Sequence, residues 1–437
     1  MHFSDSFYWG TSTSAYQIEG GVAEGGRSPS IWDTFCAKQG AIKNGHTGEV
    51  ACDHYNRLDE DLDLIQGLGV KHYRFSTSWS RILPAGVGKI NQQGADFYNA
   101  LIDGCLERGV EPWITLYHWD IPQILEDKGG WTSRDVIDWF SEYADKVTDL
   151  YGDRVSKWMI LNEPSVFSYI GYLRGEHAPG ARDEQAYIKC VHNANLVVGK
   201  TYRDLKRKNA NWKVGSTYTV MPLRPEAEDT PQSAVDMMAA FWHRNFADPL
   251  FKGQYPDVFK EEFAPLIQPG DMETIKVNLD FVGIQHYNPI EAKYSEDQLF
   301  NVDFGNKPDD KPKTDIGWLI DPDAFYETLV GLKSDYGDFP IIITENGAAY
   351  YDKISEDGKI HDQYRIDFLN SYIASMKKAM DEGVNVEGYF VWSLFDNFEW
   401  SEGYGPRFGL VYVDYENDIK RIPKESYSWY RGFIKKS

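Results

Sequence analysis

Three joints between a helical pattern and an apolar run carry the same dipeptide, Gly-Val, and this feature constrains the fold more than any other. The joints are Gly69-Val70, Gly109-Val110 and Gly383-Val384. Glycine adopts the left-handed conformation that ends a helix at little steric cost, and valine favours the extended chain that follows. A helix, a glycine and a strand in this order, repeated along one chain, indicate parallel βαβ units.

Eight apolar runs have the length of a strand, and amphipathic helical patterns separate them. The runs cover residues 7–15, 71–79, 111–118, 157–162, 213–220, 280–287, 340–344 and 386–392. Eight strands that alternate with helices predict an α/β fold, a single (β/α)8 TIM barrel with loop insertions that forms one domain over residues 1–437. The alternative is an open doubly wound sheet, but no GxGxxG turn follows the first run.

The charge balance excludes several kinds of partner. The 437 residues hold 45 Lys and Arg against 67 Asp and Glu, a formal net charge of −22. Such a chain repels phosphate backbones and anionic lipids, so we expect no nucleic-acid and no membrane partner. The N-terminal residues show no secretory signal pattern, and four cysteines are scattered without a framework, which together predict a cytoplasmic protein. The sequence leaves a monomer and a homo-oligomer both open.

Polar or aromatic side chains follow seven of the eight runs. The clusters are Gln17 and Glu19; Arg74 and Trp79; Tyr117 to Asp120; Asn162 to Pro164; Gln285 to Tyr287; Glu345 to Gly347; and Trp392 with Asp396 to Trp400. The carboxyl ends of the strands form the rim of a (β/α)8 barrel where sites are built. We therefore expect these side chains to converge on one site.

Two carboxylates stand out because each directly follows an apolar run. Glu163 follows residues 159–162 and Glu345 follows residues 341–344. A carboxylate at the end of a buried strand is costly unless it is paired or functional, and a buried salt bridge with Arg74 is the simpler explanation. Two carboxylates that face each other across the mouth of a barrel, among aromatic and amide side chains, are instead typical of the catalytic pair of a glycoside hydrolase.

Other chemistries lack their sequence patterns. Cys52-Asp53-His54 is too short a run to chelate one zinc ion, and no GxSxG elbow, Walker loop or dinucleotide fingerprint occurs. We therefore predict no metal and no cofactor. The 14 Trp, 28 Tyr and 23 Phe exceed what a core needs, which indicates surfaces on which sugars stack.

Four segments, taken in order, resemble glycoside hydrolase family 1, the β-glucosidase family, over essentially the full length of the chain. They are residues 7–20 (FYWGTSTSAYQIEG), 160–164 (ILNEP), 343–347 (ITENG) and 392–400 (WSLFDNFEW). The resemblance implies a retaining β-glycosidase, above all a β-glucosidase, that works through a covalent glycosyl-enzyme. Retention requires the two carboxyl groups to lie about 5–5.5 Å apart.

The resemblance also implies a role for each site residue. Glu345 would be the nucleophile, Glu163 the general acid and base, and Arg74 and Tyr287 the donors that position Glu345. Substrate would be bound by Gln17, His118, Trp119, Asn162, Trp318, Trp392, Glu399, Trp400 and Phe408. Among these, Trp392 would stack beneath the sugar and Trp318 would be the platform for the leaving group.

Two departures from the family pattern concern the leaving group. Ser165 stands where a large aromatic residue is frequent, and we expect it to widen the leaving-group side. Gln285 replaces an asparagine, and we expect it to shift a hydrogen bond to the leaving group or to the neighbours of Glu163.

Three alternatives share this fold: a 6-phospho-β-glucosidase, a carbohydrate-binding barrel that has lost catalysis, and a transglycosylase. The carboxylate of Glu399 disfavours a phosphorylated sugar, and the presence of both glutamates disfavours a silent barrel. Transglycosylation uses the same residues as hydrolysis. Activity on galactosides and fucosides beside glucosides stays open, with small β-glucosides or short oligosaccharides as the expected substrates.

Overall fold

The computed structural model describes residues 2–436, in which eight parallel strands close into a barrel. The predicted fold class is therefore confirmed. Each strand pairs with its neighbours in the chain, and the last strand closes the barrel by pairing with the first. The strands are β1 (Tyr8–Ser12), β2 (His72–Ser76), β3 (Glu111–Tyr117), β4 (Lys157–Asn162), β5 (Lys213–Thr219), β6 (Phe281–Gln285), β7 (Ile341–Asn346) and β8 (Val386–Trp392).

Long helices follow the strands and cover the barrel. They are α1 (Leu58–Leu68), α2 (Gln92–Glu107), α3 (Val136–Tyr151), α4 (Glu184–Lys208), α5 (Gln232–Ala239), α6 (Pro322–Tyr336), α7 (Gln363–Asp381) and α8 (Glu425–Ile434). The apolar stripe of α1 is its inner face, since Leu62, Ile65 and Leu68 are at most 1% exposed. No helix within residues 2–436 has the length and apolar character of a membrane span.

The Gly-Val joints take the predicted conformation. Gly69, Gly109 and Gly383 all have positive φ angles, of 81°, 69° and 89°. The valine after each glycine is buried and precedes the strand by one or two residues. These turns direct the chain from an outer helix back into the barrel wall.

Shorter elements fill the connections. A three-stranded sheet combines Leu223–Pro225, Ile290–Tyr294 and Val302–Phe304, and Val411–Asp414 pairs with Lys420–Pro423. The short α-helices are Ala15–Ile18, Ile31–Cys36, Trp79–Ile82, Gln123–Glu126, Pro164–Val166, Asn245–Ala247, Lys260–Phe263 and Asp271–Ile275. The 3₁₀ turns are Lys43–Gly45, Gly130–Thr132, Asp257–Phe259, Leu299–Asn301 and Trp400–Glu402, and the π-helical turns are Phe167–Arg174, Ala240–Arg244 and Asp248–Lys252.

Two predicted strand ends are wrong in a way that matters for the site. The first strand ends at Ser12 instead of residue 15, so Gln17 lies on the short helix Ala15–Ile18. The seventh strand extends through Asn346, so Glu345 lies inside β7 and not after it. An irregularity in the pairing of β7 with β6 brings Glu345 opposite Gln285. That register, which apolar patterning does not show, places the carboxylate beside a side-chain amide.

Candidate active site

A cavity of about 600 Å³ opens at the carboxyl ends of the barrel strands. It collects most of the predicted site residues in its lining: His118, Trp119, Glu163, Tyr287, Trp318, Glu345, Trp392, Glu399, Trp400 and Phe408. The other three, Gln17, Arg74 and Asn162, are fully buried and reach the same region through hydrogen bonds. Residues from seven strand ends therefore meet at one place, as the barrel rim requires.

Both oxygens of the Glu345 carboxylate accept hydrogen bonds at the base of the cavity. Oε1 accepts from Arg74 Nη1 at 2.5 Å and from Gln285 Nε2 at 2.6 Å, while Oε2 accepts from the Tyr287 hydroxyl at 2.7 Å. Glu345 and Arg74 are at most 3% exposed. Three donors aimed at one carboxylate stabilise its ionised form and fix its orientation.

Asn162 completes the hydrogen-bond network at the bottom of the cavity. Its Oδ1 accepts from Arg74 Nη2, from Gln285 Nε2 at 2.6 Å and from Thr217 Oγ1 at 3.0 Å. Because the oxygen is fully engaged, the amide nitrogen points the other way, to His118 Nε2 at 3.1 Å. We call the connected set of Arg74, Asn162, Gln285, Tyr287 and Glu345 the polar floor.

Gln285 contacts one partner that the sequence predicted and one that it did not. We expected its hydrogen bond near the leaving group or the neighbours of Glu163, and the structure gives it to Asn162, which directly precedes Glu163, and also to Glu345. A glutamine is one methylene longer than the asparagine usual in the family, which lets one nitrogen bridge two acceptors. Its own Oε1 is buried without a partner among the described residues.

Glu163 follows directly after β4 in an unusual backbone conformation. Its φ and ψ are 43° and 63°, the left-handed region that a residue with a side chain rarely adopts, and it precedes the short helix Pro164–Val166. Its amide donates to the Thr217 carbonyl at 2.9 Å. Strain of this kind persists at functional sites where the surrounding structure enforces it. Here it places the carboxyl group on the cavity wall.

The two carboxyl groups differ in their affinity for a proton. Burial, and next the negative charge of Glu345, raise the pKa of Glu163 well above its usual range. Burial also raises the pKa of Glu345, but the charge of Arg74 and the hydrogen bonds from Arg74 and Tyr287 act against that shift. A proton shared by this pair therefore resides on Glu163.

The loop after β8 supplies another side of the cavity. Gln17 Nε2 donates to Asn397 Oδ1 and to the Phe398 carbonyl, each at 3.0 Å, and lies 3.5 Å from Glu399 Oε2. Burial, followed by the charges of Glu345 and Glu402, raises the pKa of Glu399 to about 8. Helix Ala15–Ile18 and this loop thus present amide and carboxyl groups side by side.

Aromatic rings enclose the same space. The His118 ring lies parallel to Trp392 and to Trp400, with 5.9 Å between centroids in each pair. The ring centroids of Trp119 and Trp400 are 4.5 Å apart, and the indole N–H of Trp119 donates to the Asn162 carbonyl at 2.9 Å. Indole and imidazole groups arranged in this way offer apolar faces together with hydrogen-bonding edges.

The side of the cavity away from the floor is mostly apolar, and we call it the outer wall. It consists of Val166, Ile170, Met221, Trp242, Ile290, Phe304, Ile316 and Trp318, with Glu291 and Lys307 among them. The centroid of the Trp318 ring lies 5.3 Å from that of Tyr287 and 5.8 Å from that of Phe408. Because Tyr287 belongs to the polar floor, the wall is continuous with the floor. Ser165 is 1% exposed, and its neighbour Val166 lines the wall instead.

Comparisons with known proteins agree with this arrangement. The model of glycosyl hydrolase family 1 matches residues 1–437. The chain belongs to this family. The family resemblance found in the sequence is thereby confirmed, and the chain is a glycoside hydrolase.

Relatives in family 1 match almost the whole chain. A 1,4-β-D-glucan glucohydrolase of Thermotoga neapolitana and β-glucosidase A of Thermotoga maritima are each 45% identical over 438 residues, which is 99% of this chain and 98% of theirs. The structure of the Thermotoga maritima β-glucosidase in complex with deoxynojirimycin superposes with a TM-score of 0.93 at 44% identity, over 99% of this chain and 98% of that one.

Proposed function

We propose that the chain is a retaining β-glucosidase in which Glu345 is the nucleophile and Glu163 is the general acid and base. The observation that carries this assignment is the contrast between the two carboxyl groups. Three donors hold Glu345 ionised, while burial and the charge of Glu345 keep the proton on Glu163. The names of the family 1 relatives support glucosides as the substrates.

In the first step Glu345 attacks the anomeric carbon of the sugar and forms a C–O bond to it. The glycosidic C–O bond breaks at the same time, and Glu163 delivers its proton to the departing oxygen. The products are a covalent glycosyl-enzyme on Glu345 and a free alcohol. Arg74 and Tyr287 position the nucleophile for this attack.

In the second step water hydrolyses the ester that joins the sugar to Glu345. Once Glu345 is esterified its charge is gone, so the pKa of Glu163 falls and its carboxylate accepts a proton from water. The resulting hydroxide attacks the anomeric carbon, and Glu345 leaves as a carboxylate. Two inversions at the same carbon give net retention of configuration.

We assign the remaining predicted residues to substrate binding. Gln17, His118, Asn162, Glu399 and Trp400 would bind the hydroxyls of the terminal sugar, Trp392 would stack beneath it, and Trp119, Trp318 and Phe408 would complete the enclosure. The engaged Oδ1 of Asn162 supports its part, because it turns the amide nitrogen toward His118 on the cavity lining, and we assign the sugar 2-hydroxyl to this nitrogen. That hydrogen bond strengthens in the transition state.

The charges in the cavity support a neutral sugar. Four glutamates line this space (Glu163, Glu345, Glu399 and Glu402), and the ammonium of Lys43 is paired with Glu402. A phosphate on the sugar would bring a dianion beside the ionised carboxylate of Glu345, which disfavours its binding. We therefore propose glucosides as substrates, with galactosides and fucosides as further ones, and not 6-phosphoglucosides.

We propose a cytoplasmic enzyme whose partners are neutral β-glucosides or short oligosaccharides. The four cysteines are free and buried, which supports a reducing compartment. Association into a homo-oligomer stays a prediction for a sizing experiment.

The test is the initial rate on matched nitrophenyl β-glucoside, β-galactoside and 6-phospho-β-glucoside, with Glu345→Gln as the blank. We expect release from the unphosphorylated sugars that is absent in the variant. Faster release from the phosphorylated sugar would overturn the assignment of Glu399. Sugar binding without any release by a folded protein would favour the silent barrel.

A further inference from the structure

The last residue of β5 carries a hydroxyl that neither of the proposed steps uses. Thr219 ends this strand, is 1% exposed and lines the cavity together with Glu163. Its hydroxyl forms a hydrogen bond with the Glu163 carboxyl group. Because an ionised carboxylate can only accept, the hydroxyl is the donor whenever Glu163 is ionised.

The pairing of β5 with β4 explains this contact. Thr217 stands opposite Asn162 after an irregularity in the register, and its hydroxyl donates to Asn162 Oδ1 at 3.0 Å. The Thr217 carbonyl accepts the Glu163 amide at 2.9 Å. Side chains two residues apart on a strand point to the same face, so Thr219 lies on the same face of β5, one step closer to the rim. The two hydroxyls of β5 therefore serve two successive residues, Asn162 and Glu163.

The surroundings of Glu163 favour its protonated form in the free enzyme. The charged and titratable side chains on the elements around it are Arg74, His118, Tyr287, Glu345 and Glu399. Burial, followed by the charge of Glu345, raises the pKa of Glu163, and the charge of Arg74 acts against that shift. The hydroxyl of Tyr287 donates to Glu345 and not to Glu163.

The second step of the proposed mechanism reverses this requirement. Esterification of Glu345 removes its charge, and Glu163 must then be ionised to take a proton from water. A hydroxyl that donates to the carboxylate stabilises this ionised form and restricts its orientation. Thr219 is placed to supply that hydrogen bond.

We propose that Thr219 is a positioning residue for Glu163, whose hydroxyl holds the carboxylate in the orientation and the ionised form that the second step needs. The inference rests on the proposed function, because it concerns the base of that step. It gives Thr219 a larger part in hydrolysis of the glycosyl-enzyme than in its formation.

The test isolates the second step with dinitrophenyl β-glucoside, whose fast first step leaves hydrolysis of the glycosyl-enzyme rate-limiting. Thr219→Val removes the hydroxyl and keeps a side chain of similar size. We expect the burst of dinitrophenol to persist and steady-state kcat to fall about three- to tenfold, while kcat/KM stays within about twofold. Thr219→Ser should recover most of the rate. Thr201→Val, in a threonine equally buried in α4, is a matched control that should change neither value.

The pH dependence is a readout that a loss of packing would not move. Without its donor the ionised form of Glu163 is less stable, so its pKa rises. In Thr219→Val we therefore expect two limbs to move to higher pH: the basic limb of kcat/KM for cellobiose, and the acidic limb of kcat for dinitrophenyl glucoside. Thr219→Ser should return both limbs. Limbs that keep their original position in Thr219→Val would overturn the inference.

A double-mutant cycle tests whether Thr219 acts through Glu163. Adding Thr219→Val to Glu163→Ala should cause no further loss of kcat on dinitrophenyl glucoside, because the group that Thr219 positions is absent. A further loss as large as that in the unaltered enzyme would overturn the inference. If Glu163→Ala lowered kcat/KM equally for dinitrophenyl glucoside and for cellobiose, the proposed function would fail instead. The two failures are therefore distinguishable.

Discussion

The polar floor and the outer wall of the cavity differ in how fully their polar atoms are satisfied. On the floor, both oxygens of Glu345 and the oxygen of Asn162 receive donors from neighbouring side chains. On the wall, Glu291 Oε2 has no partner among the described residues, although the charges of Arg224 and Lys307 act on this carboxyl group. On the floor, the unpartnered buried oxygen is Gln285 Oε1, which points away from the two acceptors that the Gln285 nitrogen bridges.

This difference separates the residues that carry out the reaction from those that discriminate between leaving groups. A preorganised floor needs no rearrangement when charge shifts at the anomeric carbon, so changes there affect every substrate. In the proposed function the wall contacts only the group that departs in the first step, so we expect changes there to affect some substrates and not others. The measurements below test whether changes on the floor affect all substrates and changes on the wall affect only some.

The largest effect is expected for the nucleophile. Glu345→Gln removes the charge that attacks the anomeric carbon, and we expect kcat to fall by at least about 10⁴-fold with every leaving group. Steady-state rates on cellobiose and on an aryl glucoside measure this loss, and a melting curve checks the fold. Substantial activity that persists on either substrate would remove Glu345 from its role.

The next effect depends on the leaving group. Glu163→Ala removes the proton donor, and we expect a loss of about 10²- to 10⁴-fold on cellobiose. A dinitrophenyl glucoside should suffer far less in the first step, because its departing oxygen needs no proton. Rates for a series of phenyl glucosides of rising phenol pKa measure the dependence. Equal losses across the series would contradict the role of Glu163.

Gln285 tests the floor without replacing the nucleophile itself. Gln285→Leu removes the donor shared by Glu345 and Asn162, and we expect kcat/KM to fall about 10- to 100-fold. Because the floor serves all substrates, the loss should be equal for cellobiose and for the aryl glucoside. Gln285→Asn restores an amide and should recover part of the rate. A loss confined to one leaving group would place Gln285 with the wall.

The pH dependence follows from the proton on Glu163. Its pKa is raised, so the acid form needed for the first step persists above the usual range of a carboxyl group and is lost as pH rises through that raised pKa. We expect kcat/KM for cellobiose to fall about tenfold per pH unit beyond it. For an activated aryl glucoside, Glu163→Ala should lack this basic limb. If the basic limb of the pH–rate profile survives in the variant, a titratable group other than Glu163 causes it.

The smallest effect is expected from the apolar part of the wall. Val166 is 9% exposed and contributes only apolar surface. Val166→Ala should change kcat/KM by less than about fivefold on any leaving group, because it removes two methyl groups from one side of the cavity. A loss as large as that of Gln285→Leu would show that the floor and the wall are not separable.

Much of the floor was predictable from sequence and little of the wall was. The Gly-Val joints and apolar runs indicate the barrel, and short motifs next to the strand ends identify Glu163, Glu345 and Tyr287. The wall is built by side chains such as Trp242 and Phe304, which come from the long connections after β5 and β6. Contacts of that kind depend on how the insertions fold back over the barrel.

The errors have the same origin. Apolar patterning located the run before Glu345 but not the irregular pairing that brings Glu345 opposite Gln285. The identity of Gln285 was visible, whereas its two acceptors depend on that register. Periodicity specifies the face of a strand, and pairing between strands decides which side chains meet.

The central claim is that Glu345 forms a covalent bond to the sugar, and trapping that intermediate tests it most directly. A 2-fluoro-glucoside with a dinitrophenol leaving group slows both steps but keeps the first one accessible, so the glycosyl-enzyme should accumulate. We expect mass spectrometry of the digested protein to find one sugar, on the peptide that contains Glu345. A sugar on Glu163 or Glu399, or inactivation without any adduct, would contradict the account.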